Sequence, residues 1–305
     1  MSDQPQSQQL STCPACTAGG SSDFFAIEQA PIQSVVTLKS YAAAMKIPRK
    51  DIKLSFCRHC GFIFNRNFER DWDYYTKGYE DQQGFSPTFV KFITGITQRF
   101  IQKYELYEKL VLEIGCGKGD FLRLISELGD NRGIGIDPSW VPGRVKENAQ
   151  LKFITDFYNV THGHFKPDSI VCRHTLEHIY DTNDFLHKIR TACGSRKPIL
   201  LFEVPCVLRI LKDQAFWDIF GEHCAYFSPG SLARLFRRNG FEVLDIYIEY
   251  DQQYLFIEAR PVEMPSMTIH PLEETPDELF QLAESFAQRV QQQLTVWRTR
   301  LNEFK

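Results

Sequence analysis

The residues with the clearest chemical potential lie in a glycine-rich segment near the middle of the chain. An apolar strand predicted at residues 110–112 runs into Glu113 and then into three glycines at alternate positions, Gly115, Gly117 and Gly119. Glycine lets the backbone turn sharply and approach a ligand without an obstructing Cβ. The spacing departs from the dinucleotide-binding pattern G-x-G-x-x-G. An acid before the first glycine suits a cationic ligand better than a pyrophosphate, and the amides of the following helix point into the same space.

Three further apolar strands end in side chains that can bind a ligand. The strand at 133–136 ends in an acid roughly 20 residues past the glycines, where a carboxylate can accept both ribose hydroxyls of a nucleoside, a turn cap being the alternative. The strands at 151–155 and 168–172 also run into polar residues. Ligands of parallel sheets bind at the carboxyl ends of the strands. One site is therefore predicted there, with contributions from Asp137, Pro138, Asp156, Phe157, Arg173 and His174.

Nine cysteines divide into two groups. Five lie singly in apolar segments and are interpreted as buried small side chains. The others form two C-x-x-C pairs, which predict a tetrahedral, structural zinc site, with the ligands Cys13, Cys16, Cys57 and Cys60. The gap of about 40 residues between the pairs exceeds the usual ribbon spacing and requires a small β-rich excursion. Disulfides are the alternative, disfavoured in a reducing cytosol, and two matched pairs disfavour a redox C-x-x-C.

The elements that position these residues alternate between strand and helix. A helix is predicted over 181–193, a buried strand over 198–204 and a second helix over 228–240, followed by two closely spaced strands at 241–248 and 254–259. Such alternation predicts an α/β fold with a largely parallel sheet covered on both faces. The final two strands are expected to form an antiparallel pair.

The end of the chain predicts one long amphipathic helix. Thr275 to Glu278 has the form of a capping box with proline in the first turn. Apolar residues then recur at three- and four-residue steps along a single stripe, which comprises Leu279, Leu282, Phe286, Val290, Leu294, Trp297 and Leu301. The stripe must either dock on the core or pair with a second copy of the chain, which would make a homodimer.

Composition sets the broad class of protein. With 305 residues and 43% hydrophobic content, the chain can bury one substantial core and a smaller second one. A formal net charge of −3 provides no general attraction to nucleic acid or to an anionic membrane. No segment has a membrane-spanning apolar run, and the polar start lacks a signal-peptide core. A cytoplasmic protein with neither nucleic-acid nor membrane partners is predicted.

The glycine segment resembles the nucleotide-binding motif of class I S-adenosylmethionine (SAM) methyltransferases, whose ligand carries an ammonium and a sulfonium. With its N-terminal cysteine pairs, the chain resembles the sugar C-methyltransferases of deoxysugar biosynthesis and their wider group of zinc-containing small-molecule methyltransferases. The resemblance runs along nearly the whole chain and is most specific at residues 221–228, which match an E-H-x-x-Y-F-S signature. It also includes Tyr79-Glu80, Leu176-Glu177-His178 and Glu203-Val204-Pro205.

The resemblance implies a Rossmann-like fold with a mostly parallel seven-stranded sheet and an antiparallel last strand. It adds a small N-terminal zinc-binding domain and a C-terminal helix. The predicted boundaries are a disordered N-terminus (1–11), the zinc-binding domain (12–68), a helical linker or lid (69–106), the methyltransferase core (107–262), and a C-terminal linker with the helix (263–305). Family members often continue into another α/β domain, so the last segment is interpreted as its possible start.

The same resemblance implies roles for individual residues. SAM would be held by Glu113 on the methionyl side, by Asp137 at the ribose and by Asp156 at the adenine amine, with Tyr79 also at the cofactor. His223 would be the general base that removes a proton beside a ketone. An imidazole with a pKa near neutrality suits that task. Glu222 would orient this base, and His178 is a second candidate base.

A mechanical role remains the alternative, in which Glu222 and His223 only brace the loop before the Ser228 helix. The sugar enzymes commonly carry Tyr-His before the Glu-His pair, whereas Phe220-Gly221 stands here. The absent phenol could otherwise stabilise an enolate or contact the sugar. Three functions follow as hypotheses: C-methylation of a nucleotide-linked or natural-product sugar, O- or N-methylation of another acceptor, and a non-enzymatic SAM-binding, zinc-containing interaction module.

Overall fold

The computed structural model describes residues 12–33, 36–69 and 83–304. Residues 1–11 and Tyr79 lie outside the described residues. The strands are β1 (Ser22–Pro31), β2 (Arg49–Phe56), β3 (Ile63–Asn65), β4 (Leu110–Ile114), β5 (Arg132–Ile136), β6 (Leu151–Ile154), β7 (Ser169–Arg173), β8 (Ile199–Pro205), β9 (Ala225–Tyr226), β10 (Phe241–Glu249) and β11 (Tyr254–Pro261). The helices are α1 (Tyr41–Ala44), α2 (Pro87–Tyr104), α3 (Asp120–Gly129), α4 (Thr182–Cys193), α5 (Val207–Asp213), α6 (Pro229–Arg238) and α7 (Pro276–Glu303).

The larger of two sheets has seven strands in the order β10-β11-β8-β7-β4-β5-β6. Strands β4 to β8 pair in parallel, while β11 is antiparallel to both β8 and β10. The α/β, Rossmann-like prediction with an antiparallel last strand is confirmed. Because β4 lies between β5 and β7, the carboxyl ends of these three strands meet at one edge of the sheet.

Local sequence explains where three of the helices begin. Ser86 caps α2 by accepting from the amide of Phe89, with proline in the first turn. Helix α6 begins with a reciprocal capping box between Ser228 and Ser231. Helix α3 has no side-chain cap and instead starts at Gly119, whose φ of 87° suits glycine. Its first amides are therefore directed into the glycine turn.

The smaller sheet has the order β1-β2-β3-β9, and all of its pairs are antiparallel. Its first three strands come from the predicted zinc-binding segment, but its fourth, β9, comes from the E-H-x-x-Y-F-S segment. Ile63 pairs with Tyr226 and Phe64 with Ala225. His223 lies on a loop between β8 and the Ser228 helix, and α5 and β9 form within the same connection.

The apolar stripe of α7 divides into two halves. Leu279, Phe286 and Val290 are buried in a cluster that also contains Ile52 and Leu54 of β2, so the first half docks on the small sheet. Trp297 and Leu301 are exposed. Pairing with a second copy through this half stays a prediction, as do the domain boundaries. Among the described residues, no helix has the length and apolarity needed to cross a membrane.

Candidate functional site

The glycine turn between β4 and α3 closes tightly against its neighbours. All three of its glycines have positive φ, between 51° and 87°. A Cβ on Gly115 would meet the Thr175 hydroxyl at 1.9 Å, and one on Gly119 would meet the Phe153 ring at 2.6 Å. Backbone conformation and space both require glycine at these positions. The contact with Thr175 also brings the segment after β7 directly against the turn.

Glu113 and Arg173 line the site from β4 and from the end of β7. Glu113 is 3% exposed, and its Oε2 atom has no hydrogen-bond partner among the described residues. The Nη2 atom of Arg173 is also buried with no hydrogen-bond partner in residues 12–33, 36–69 and 83–304, while its Nε pairs with Glu203. Burial, with Asp137 adding to it and Arg173 opposing it, raises the pKa of Glu113 to about 8. A buried acceptor and a buried donor lacking partners suit a zwitterionic amino-acid group.

Asp137 follows β5 and is 9% exposed. One carboxylate oxygen accepts from the amide of Gly117 at 2.8 Å, and the other accepts from the amide of Ser139 at 2.7 Å. The Ser139 hydroxyl also donates to the second oxygen, at 2.6 Å. These bonds fix the carboxylate across the glycine turn and leave acceptor capacity on the oxygen bonded to Gly117. Pro138, the next residue, is exposed.

Asp156 and Phe157 lie beyond β6 at the open end of the same edge. One Asp156 oxygen accepts from the amide of Phe157 at 2.7 Å, and the other lies 3.9 Å from His162 Nε2. The Phe157 ring is 69% exposed. An exposed ring beside a carboxylate can cover the face of a base while the acid accepts from an exocyclic amine.

His174 joins a buried charged cluster at the end of β7. Its Nε2 lies 3.2 Å from Glu203 and its Nδ1 lies 3.6 Å from Glu177. Burial would lower its pKa, but the two carboxylates outweigh burial and raise the pKa to about 9. His174 also has a left-handed φ of 46°, which is uncommon outside glycine. The imidazole is therefore cationic at neutral pH. It lies at the start of the 174–178 segment, which contacts the glycine turn through Thr175.

His178 and His223 lie side by side beyond this cluster. Their ring centroids are 4.8 Å apart with nearly perpendicular planes, and each has a ring nitrogen within 4.8 Å of a Glu177 oxygen. His178 Nδ1 lies 3.0 Å from the backbone carbonyl oxygen of Glu222. Glu222 is itself buried, at 2% exposure. Burial, reinforced by His178, lowers the pKa of His223 to about 3, below the near-neutral value expected. His223 is therefore neutral at physiological pH, and the lowered pKa makes it a weaker base than a free imidazole.

Phe220, which precedes the Glu222–His223 pair by two positions, presents an apolar surface to His223. The Phe220 ring is edge-on to His223, with centroids 5.0 Å apart. The nearby phenol of Tyr226 is 3% exposed and donates weakly to the Phe220 carbonyl at 3.4 Å. Phe220 itself presents no hydroxyl where the resembled enzymes carry a phenol.

The four predicted metal ligands converge as a group. Their sulfurs all lie within 4.8 Å of one another. Cys13 and Cys60 are 3.7 Å apart at sulfur, and Cys16 and Cys57 are 3.6 Å apart. Both distances far exceed a disulfide bond of about 2.05 Å. Four thiolates at about 2.3 Å from a tetrahedral zinc would lie about 3.8 Å apart. The donor set and spacing fit zinc.

Two carboxylates in this site were missed from the sequence. Glu203 and Glu177 are both buried and both interact with His174. The signal for Glu203 was present, because it is the one charged residue in the apolar strand β8. Glu177 belongs to a segment that carries the family resemblance, but its burial in a 3₁₀ turn depends on tertiary contacts and could not be predicted.

A family model described as a methyltransferase domain matches residues 89–246 of this chain. A curated relative, the C-methyltransferase NovU of Streptomyces niveus, is 30% identical over 148 residues, covering 45% of this chain and 34% of that protein. The chain thus spans about a third of that relative's length.

Two solved structures are among those similar in fold. One is the Burkholderia thailandensis 1,6-didemethyltoxoflavin-N1-methyltransferase, with a TM-score of 0.43, 14% identity, and coverage of 59% of this chain and 83% of that chain. The other is the Synechocystis magnesium protoporphyrin IX methyltransferase, with a TM-score of 0.43, 15% identity, and coverage of 60% and 91%.

Proposed function

This chain belongs to the methyltransferase family, and we propose that it transfers the methyl group of SAM to a small-molecule acceptor. The observation that carries the proposal is the set of buried groups around the glycine turn. Within the described part of the chain, Glu113 Oε2 and Arg173 Nη2 have no hydrogen-bond partner, and Asp137 is fixed across the turn. The SAM ammonium and carboxylate match the first two groups, and its ribose hydroxyls match the third.

The acceptor side supports carbon methylation through a neutral base. His223 is kept neutral by burial and lies beside Glu177 and His178, next to the 174–178 segment that touches Gly115. His223 would take a proton from the carbon beside a ketone, with the Glu177 carboxylate favouring the protonated imidazole. The resulting carbanion would attack the SAM methyl group, and the S–CH₃ bond would break to release S-adenosylhomocysteine. Together with the E-H-x-x-Y-F-S motif, this chemistry favours a ketosugar, linked to a nucleotide or part of a natural product.

The Phe220 ring favours a second candidate, O- or N-methylation. A developing enolate needs a hydrogen-bond donor at its oxygen, and position 220 provides none. A hydroxyl or amine acceptor needs only the base. Glu177, His178 and His223 would then assist loss of a proton from oxygen or nitrogen. The non-enzymatic alternative has less support. Glu177, His178 and His223 lie next to the segment that contacts Gly115, and all three are ionisable groups that can transfer protons.

Zinc is the proposed occupant of the four-cysteine cluster. Bound there, it would supply a fixed tetrahedral centre and neutralise thiolate charge, without an open position for chemistry. The residues that would hold it are Cys13, Cys16, Cys57 and Cys60. The compartment of the protein stays a prediction.

The test is to incubate the protein with SAM and a panel of nucleotide-linked ketosugars and to examine products by mass and NMR. A gain of one CH₂ unit at carbon supports the first candidate, whereas a gain at oxygen or nitrogen supports the second. Running the reaction in D₂O without SAM provides a further criterion, because a base acting beside a ketone exchanges that proton for deuterium. Failure to bind SAM would reject both candidates.

A further inference from the structure

The segment that carries Glu222 and His223 is held between the two sheets. The amide of Cys224, the next residue, donates to the carbonyl of Glu177 at 2.9 Å. The carbonyl of Cys224 accepts from the amide of Asn65, also at 2.9 Å. The backbone of Cys224 therefore joins the 174–178 segment of the core to β3 of the N-terminal lobe. The position of His223 depends on both.

Strand β3 is itself fixed by the second cysteine pair. The amide of Gly61 donates to the carbonyl of Cys57 at 2.8 Å, and the amide of Cys57 donates to the carbonyl of Phe62 at 2.9 Å. This tight knuckle leads directly into β3 at Ile63. Phe62 is fully buried, and its ring packs on Phe227 with centroids 5.3 Å apart. The cysteine cluster thereby sets where β3 can pair with β9.

Helix α6, which follows the Glu222–His223 segment, also bonds to the cysteine pairs. Arg234 donates through Nε to the carbonyl of Cys60 at 2.9 Å, and through Nη1 to the carbonyl of Glu274 at 2.9 Å. Arg238 donates to the carbonyl of Cys16 at 3.0 Å. Both cysteine pairs are thus bonded to α6, the helix that begins directly after the His223 segment.

We propose that the four-cysteine cluster and Arg234 position the Glu222–His223 segment for catalysis. The N-terminal lobe is then part of the catalytic apparatus, although it lies far from the glycine turn in sequence. Arg234 acts as a positioning residue through the carbonyl of Cys60. The effect on catalysis rests on the proposed function, in which His223 is the base. The structural coupling between the cysteine cluster and the Glu222–His223 segment does not.

The test compares Arg234→Gln with a matched variant, Arg237→Gln, in the full-length, metal-loaded protein. Arg237 lies on the same helix but binds Glu273 and the carbonyl of Thr268 instead of a cysteine. Amide hydrogen exchange over residues 222–227 is the main measurement, since it needs neither SAM nor acceptor. Arg234→Gln should accelerate exchange there by about tenfold or more, and Arg237→Gln should leave it unchanged.

Three controls separate positioning from general loss of stability. In Arg234→Gln the metal content, the exchange of β4 and the SAM affinity should match the parent, while kcat on any methylated acceptor falls. Arg234→Lys should recover part of that kcat, because an ammonium can still donate to the Cys60 carbonyl. Equal exchange over 222–227 in the Arg234→Gln and Arg237→Gln variants would overturn the proposal.

If Arg234→Gln does not fold, the parent protein treated with a metal chelator answers the same question. Residues 222–227 should then lose protection while β4 keeps it. Loss confined to residues 12–33 and 36–62, with 222–227 still protected, would overturn the coupling. Failure to bind SAM would instead reject the proposed function and leave the exchange result intact, so the two failures are distinguishable.

Discussion

The imidazole of His223 lies edge-on to that of His178, with ring centroids 4.8 Å apart. The two residues come from segments 45 positions apart in the chain, which meet through the Cys224 amide and the Glu177 carbonyl. Burial and the neighbouring His178 keep the pKa of His223 low, at about 3. A neutral imidazole therefore stands beside the buried carboxylate of Glu177. The charge of this carboxylate opposes the loss of basicity that burial causes, as general-base catalysis requires a pKa nearer to neutrality.

Replacing this imidazole tests its role. We expect His223→Ala to reduce turnover by about 10²–10⁴-fold, the usual contribution of a positioned base. SAM affinity should stay within about twofold, because His223 is assigned to the acceptor side. The measurement is the initial rate on any acceptor that the parent methylates, with calorimetry for SAM. If His223→Ala retains the full rate, His178 becomes the candidate base. Parallel loss of rate and thermal stability would support the bracing role.

The raised pKa of Glu113 makes SAM binding depend on pH. Burial raises this pKa to about 8 in the free protein, so most Glu113 is protonated at pH 7. An ammonium placed beside it stabilises the carboxylate and lowers the pKa, so binding releases a proton. Affinity should therefore increase with pH, by up to about tenfold per unit below pH 8, and then level off.

Calorimetry in buffers of different ionisation enthalpy measures that proton directly. Glu113→Gln serves as the matched control, since its side chain has the same shape and cannot ionise. This variant should bind SAM more weakly and without the Glu113-linked proton release. The assignment would be contradicted by identical proton release in the parent and the variant.

The metal prediction can be tested with two cysteine variants. The purified protein should hold about one zinc per chain, and Cys57→Ser should lose most of it, because a tetrahedral thiolate site needs all four ligands. Cys193→Ser is the control, since Cys193 is a lone buried cysteine at the end of α4. Metal analysis after gel filtration distinguishes the two. Zinc at parental levels in Cys57→Ser, or a disulfide among these residues, would reject the site.

Much of the fold follows from local sequence. The strand at β4, the helix at α4 ending before Gly194 and the final antiparallel pair were all predictable, because apolar period, caps and glycine stops act within a few residues. Strand β9 was not predictable. It has two residues, and it exists only because β3 offers them a partner. Helix α5 was missed as well, since its seven residues carry no capping side chain.

In the candidate site, too, the features set by local sequence were predictable and those set by tertiary contacts were not. Glycine spacing and strand-end acids indicated Glu113 and Asp137, because these residues belong to a contiguous motif. The pKa of His223 was not predictable, since it depends on burial against elements distant in sequence. The connection between the cysteine pairs and His223 could not be predicted from the sequence either. It consists of backbone hydrogen bonds and of contacts made by Arg234, which belongs to no recognisable motif.

Calorimetric titration of SAM into the parent protein and into Asp137→Ala tests the central claim most directly. Asp137 is held across the glycine turn by the amides of Gly117 and Ser139, and it is the residue proposed to bind the ribose. We predict one SAM per chain, with binding weakened in the variant by about one to a few kcal/mol, because charge-assisted hydrogen bonds are lost. Absence of SAM binding by the parent, or unchanged affinity in a folded Asp137→Ala variant, would contradict the placement of SAM at this turn.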